Sequence, residues 1–105
     1  MGLGLKNKVA LVTGGSRGVG RAIARALLLE GAKVMITARD PQRLAATAKE
    51  LASETGGEVR IHPAELEDDA AVRGLVDATI QAFGHFDILV NNAGTVDPAA
   101  FHALD

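Results

Sequence analysis

Cysteine, tryptophan and tyrosine are absent from these 105 residues, and proline and phenylalanine occur three times each. Without cysteine there can be no disulfide framework, no thiolate-ligated zinc and no thiol nucleophile. Without tyrosine no phenol can act as a general acid or base. Large charge imbalance is missing too: 11 basic and 13 acidic side chains leave a net charge of -2, with no block of like sign. That distribution lacks the basic stripe needed for nucleic acid and the polybasic patch of a membrane anchor.

No apolar run approaches the ~20 residues of a transmembrane helix. The N-terminal residues lack a signal-peptide core, and Lys6 stands where a myristoylation signal needs Ser or Thr. The expectation is a soluble, cytoplasmic protein with one small core and no nucleic-acid or membrane partner.

What is present is a pattern that changes period at glycines, prolines and charged clusters. Val9-Ala10-Leu11-Val12 is a continuous apolar run, as in a strand buried on both faces of a parallel sheet. Val19, Ala22, Ile23, Ala26 and Leu27 then recur at helical spacing up to Gly31. Val34-Met35-Ile36 reads as a second strand. Asp40-Pro41 reads as an N-cap followed by proline at the first helical position, ahead of a stripe of Leu44, Ala48, Leu51 and Ala52 that ends near Gly56-Gly57.

Val59-Arg60-Ile61 is a short third strand. The acidic run Glu65–Asp69 suits a helix start, followed by Val72, Leu75, Val76, Ile80 and Phe83 up to Gly84. Ile88-Leu89-Val90 is a fourth strand, and Asp97-Pro98 reads as the cap of one further helix. Strands alternating with helices predict a single α/β domain over residues 1–105. The expected form is a Rossmann-like, doubly wound parallel sheet in the order 3-2-1-4, with its ligand crevice beside strands one and four.

The first strand runs into Thr13-Gly14-Gly15-Ser16-Arg17-Gly18-Val19-Gly20 at the start of the first helix. A glycine loop in that position lets backbone approach a diphosphate, and the helix N-terminus offers unpaired N–H groups. Alone, such a loop reads equally well as an ordinary turn. A P-loop is excluded because Arg21-Ala22 follows the frame from Gly15 to Gly20 where Lys-Ser or Lys-Thr is required.

TGGSRGVG near the N-terminus, with NNAG at residues 91–94 after the fourth strand, resembles the short-chain dehydrogenase/reductase family over nearly the whole chain. The resemblance implies that Gly14, Ser16, Gly18, Val19 and Gly20 border a cofactor diphosphate. It implies that Asn92, Ala93 and Gly94 lie along the ribose nearer the nicotinamide; Thr13 and Asn91 read as a tie between the first and fourth strand ends, the alternative being direct contact with the ligand. The family's aspartate against the adenine is replaced by Glu65, with Leu66 presenting its backbone to the ring; Glu65 and Glu67 read equally well as helix-entry charges.

The cofactor preference rests on the end of the second strand, where an acidic side chain would accept a ribose 2′-hydroxyl and a basic one would pair with a 2′-phosphate. The chain reads Thr37-Ala38-Arg39 there. Arg39, with Arg17 in the loop, favours NADP(H) over NAD(H); the alternative is two solvated surface charges, with Asp40 turned toward the ribose.

His62, His85 and His102 fall in separate segments without metal-ligand spacing, so no metal site is expected. The three phenylalanines suit packing at the core or helix ends. The family's catalytic Ser and Tyr-x-x-x-Lys have no counterpart after Gly94, since the last serine is Ser53 and the last lysine Lys49. The expected function is therefore the NADP(H)-binding part of a short-chain dehydrogenase/reductase-like oxidoreductase, apparently truncated. The alternative is a non-catalytic module, sensor or subunit completed by another chain or by self-association through an exposed fourth strand.

Overall fold

The computed structural model describes residues 4–92 and Phe101. Its elements alternate as β1 (Val9–Thr13), α1 (Gly18–Leu29), β2 (Lys33–Thr37), α2 (Pro41–Thr55), β3 (Val59–Ile61), α3 (Asp69–Phe83) and β4 (Ile88–Asn91). The strands form one parallel sheet in the order β3-β2-β1-β4, the expected Rossmann-like arrangement. The further helix expected at Asp97-Pro98 lies outside the described residues.

β1 sits between β2 and β4, and all five of its residues are buried, so it carries an unbroken apolar run. Strand periodicity divides its side chains between two cores. Ala10 and Val12, with Val34 and Ile36 of β2, face Ala24 and Leu28 of α1 and Leu44 and Leu51 of α2. Leu11 and Met35 face the other way, against Val72, Leu75 and Val76 of α3 and against Phe101. Phe83 and Phe86 pack at the margin of this second cluster.

The helix boundaries follow local chemistry. Asp40 caps α2, its Oδ1 accepting from the Gln42 and Arg43 amides at 3.0 and 3.2 Å, with Pro41 in the first turn. Asp68 caps α3 through the Ala71 amide at 2.9 Å, and Gly56 and Gly84 close the two helices. At the opposite end of the sheet, the Val9 amide donates to Asp87 Oδ2 at 2.9 Å and the Asp87 amide to Val9 O at 2.8 Å. His85 Nε2 lies 3.0 Å from the same carboxylate, so one side chain joins the starts of β1 and β4.

Three helix faces differ from the sequence expectation. In α1 the buried residues are Gly20, Ala24 and Leu28, whereas Val19 is 67% exposed and Ala22 and Ala26 face solvent. Small residues at 20 and 24 let the helix approach the sheet, and that closeness, rather than apolarity, sets its rotation. In α2, Thr47 is buried between Leu44 and Leu51, and in α3 Thr79 is buried while Ile80 is exposed. Both threonines satisfy their hydroxyls by hydrogen bonds, Thr79 to Leu75 O at 2.8 Å and Thr47 to Ser16 O at 2.7 Å.

The acidic run also divides. Only Asp69 lies in the first turn of α3; Glu65 and Glu67 precede the Asp68 cap, in a segment held beside β2 by the Ala64 amide on Ala38 O at 3.0 Å. Glu65 and Glu67 thus lie on the approach to α3, ahead of its cap. No helix among the described residues is long and apolar enough to cross a membrane.

Candidate functional site

From the C-terminal ends of β1 and β2 the chain passes to α1 and α2 on one face of the sheet, whereas from β3 it crosses by α3 on the opposite face to reach β4 on the far side of β1. This reversal opens a cleft of about 1000 Å³. Thr13, Gly14, Ser16 and Arg17 form its floor, Ala38, Arg39, Asp40 and Arg43 one wall, and Ala64 to Glu67 the other, with Asn92 at the β4 end.

The floor is held from three sides. Gly14 and Gly15 donate their amides to Thr37 O at 2.9 and 3.3 Å, which ties the loop to β2. Thr47 of α2 holds Ser16 O, and Asn92 Nδ2 donates to Gly14 O at 3.3 Å across the β1–β4 boundary. Thr13 Oγ1 donates to Asn91 Oδ1 at 3.0 Å, tying those strand ends together. Gly14 has φ 68°, in the left-handed region that favours glycine. Gly20 is required by space: a Cβ there would lie 2.1 Å from Gly14 O and 2.8 Å from Asn92 Nδ2.

α1 differs from the other helices where it meets this floor. Asp40 and Asp68 cap α2 and α3, but the residue at the α1 cap is Arg17, which makes no side-chain cap hydrogen bond, and the first turn holds no acidic residue. The N–H groups of that turn, and the positive end of the helix dipole, therefore lack a carboxylate partner from the cap or first turn.

The walls carry opposite charge. Arg39 and Arg43 line the cleft together with a segment containing Glu65 and Glu67, and the Glu65 carboxylate, accepting a hydrogen bond from the Glu67 carboxyl and adding its like charge, pushes that carboxyl above its ordinary value. Arg39 acts on Glu67 in the opposite sense, which places that guanidinium within electrostatic reach of the acidic wall. Asp40, with Oδ1 held by two helix amides, is a cap.

Of the residues singled out in the sequence, Gly14, Ser16, Arg17, Arg39, Glu65, Leu66 and Asn92 line the cleft. Gly18, Val19 and Gly20 form the first turn of α1 next to it, and Ala93 and Gly94 lie outside the described residues. Two residues at the site escaped the sequence reading. Thr47 looks like one more polar position in α2 until its hydroxyl is seen on the loop. Arg43 had a readable signal: three residues beyond a capping Asp40, it must stand in the first turn of α2, above the end of β2.

A family model described as short chain dehydrogenase matches residues 8–105. The chain is 46% identical over 99 residues to the rhamnolipids biosynthesis 3-oxoacyl-(acyl-carrier-protein) reductase of Pseudomonas aeruginosa, covering 94% of this chain and 38% of that one. Among solved structures, L-sorbose reductase from Gluconobacter frateurii, complexed with NADPH and L-sorbose, superposes with a TM-score of 0.84 at 38% identity over 92% of this chain and 37% of its own. A short chain dehydrogenase from Burkholderia cenocepacia in complex with NADP gives 0.78 at 46% identity, over 86% of this chain and 37% of its own. The chain thus spans about two fifths of the length of these relatives. With the matched model, the parallel sheet and these likenesses in agreement, the chain belongs to the short-chain dehydrogenase family.

Proposed function

We propose that residues 1–105 act as one nicotinamide-dinucleotide-binding domain of an oxidoreductase, with NADP(H) preferred over NAD(H). The observation that carries the reading is the α1 N-terminus, without a carboxylate cap, opening with Arg17 onto a cleft whose wall bears Arg39, while the adjoining Asp40 carboxylate is engaged as the cap of α2. A diphosphate on the loop would take the α1 amides, and a 2′-phosphate would take the guanidinium forks. Glu65 and Leu66 would flank the adenine, and Asn92, followed by Ala93 and Gly94, would lead toward the nicotinamide. The NADPH- and NADP-bound relatives support the choice of cofactor.

When bound, the dinucleotide supplies the hydride, exchanged with an alcohol or carbonyl carbon in the whole protein. The residues of this chain bind and orient it. The family's proton-transfer tyrosine has no counterpart here, because the chain has no tyrosine. A cytoplasmic setting and pairing of β4 with a completing chain or second copy belong to the same reading.

Titration of the chain with NADPH and NADH, followed by thermal melts with each, tests it. NADPH is expected to bind at least about tenfold more tightly. At one hundred times its Kd it should stabilise the fold by about 2.7 kcal/mol. Equal dissociation constants would defeat the NADP(H) preference, and no stabilisation by either would defeat dinucleotide binding altogether.

A further inference from the structure

On the side away from β4 the sheet ends at β3, and the backbone of that edge is open. The Val34 amide donates to Glu58 O and the His62 amide to Ile36 O, each at 3.0 Å, so residues 58, 60 and 62 turn their backbone groups toward β2. The N–H and C=O groups of Val59 and Ile61 point the other way, and among the described residues no backbone hydrogen bond reaches them from that side.

Strand alternation puts Glu58 and Arg60 on one face of this edge. Both are exposed, and neither has an ion-pair partner among the described residues. A depression lined by Met35, Arg60, Ile61, Ala78, Gln81 and Ala82 lies between β3 and α3 on the same face, so the helix leaves the strand uncovered there. Charge of one sign guards a sheet edge against its own copies. Here the two charges are opposite and two residues apart.

We infer that β3 is a self-association surface whose occupant is the β3 edge of a second copy, paired antiparallel about a two-fold axis at Val59. In that register Arg60 of each copy lies opposite Glu58 of the other, so the interface is self-complementary. The two Val59 residues exchange N–H···O bonds, and each Ile61 amide reaches the Gly57 carbonyl of the other copy. The Gly57 amide is already held by Thr55 Oγ1 at 3.0 Å, so it is not left without a partner. Neighbouring registers fail on charge or on backbone. An axis at Glu58 or at Arg60 sets like charges face to face, and one at Ile61 brings Pro63, which has no N–H, opposite Val59. Neither Glu58 nor Arg60 lines the main cleft, so the pairing leaves the dinucleotide site open.

Sedimentation velocity over a concentration series tests this with the parent chain, Glu58→Arg, Arg60→Glu and the double variant Glu58→Arg/Arg60→Glu. The parent is expected to pass from monomer to dimer as concentration rises. Each single reversal sets like charges opposite one another on both sides of the axis and should raise the dimer Kd by at least about tenfold. The double reversal forms both pairs again with their signs exchanged and should bring the Kd back close to the parent value. Because both side chains are exposed, all four chains should melt alike when dilute, which separates lost association from lost folding. A parent that stays monomeric up to about 1 mM would overturn the inference. So would a dimer indifferent to both single reversals, which would place the contact at β4 or elsewhere, or a double variant no better than the single ones.

Discussion

Gly20 and Gly18 stand two residues apart in one turn and are glycine for different reasons. A methyl group at Gly18 would meet nothing within 4 Å, but φ is 62°, a conformation costing an L-residue about 1–2 kcal/mol. At Gly20 the backbone is ordinary and the space is missing, because the methyl would overlap Gly14 O and crowd Asn92. Gly18→Ala is therefore expected to lower stability by about 1 kcal/mol while keeping NADPH binding. Gly20→Ala should lose about 1–3 kcal/mol and weaken NADPH more than tenfold, since α1 must move away from the loop that it supports. Thermal melts and NADPH titrations of both variants separate the two causes; equal losses of affinity would refute the distinction.

At the scale of elements, the Asp40 carboxylate organises the start of α2, and with it Arg43 and the Thr47 contact on the glycine loop. Asp40→Ala should cost about 1 kcal/mol. It should also loosen the cleft wall, seen as faster amide exchange at Gln42 and Arg43; unchanged exchange there would refute the role. Such caps were readable in the sequence because Asp-Pro at a helix start acts through its own neighbours. Leu44, Leu51, Val72, Leu75 and Val76 were readable for a similar reason, since a large apolar side chain at helical spacing has few alternatives to burial. The buried faces that stayed hidden were built from Gly20, Ala24, Thr47 and Thr79, where close approach or a satisfied hydroxyl substitutes for apolar bulk. Half of the site behaves likewise: the glycine loop announces itself by composition, whereas Thr47 and Arg43 matter through what the fold brings beside them.

Across the whole molecule, two separate cores share one sheet, and β1 contributes to both. Leu11 is the largest β1 side chain and is fully buried on the α3 face. Leu11→Ala is expected to cost about 2–5 kcal/mol, a large part of the ~5–15 kcal/mol that holds a typical domain together. Chemical denaturation should show this loss without a change in the m-value, and a smaller effect than about 1 kcal/mol would mean that the α3 side contributes little. The β1–β4 pairing has a kinetic side as well. Ala10 pairs with Val34 only 24 residues away, but with Ile88 at a separation of 78. Logarithmic loop entropy makes the longer closure only ~1 kcal/mol harder, so the wide circuit through α2, β3 and α3 burdens stability little. It weighs instead on the order of assembly, because contacts distant along the chain form late. The ribbon of β1 and β2 can exist before β4 arrives, and the cleft acquires its Asn92 edge only when the last of these strands docks.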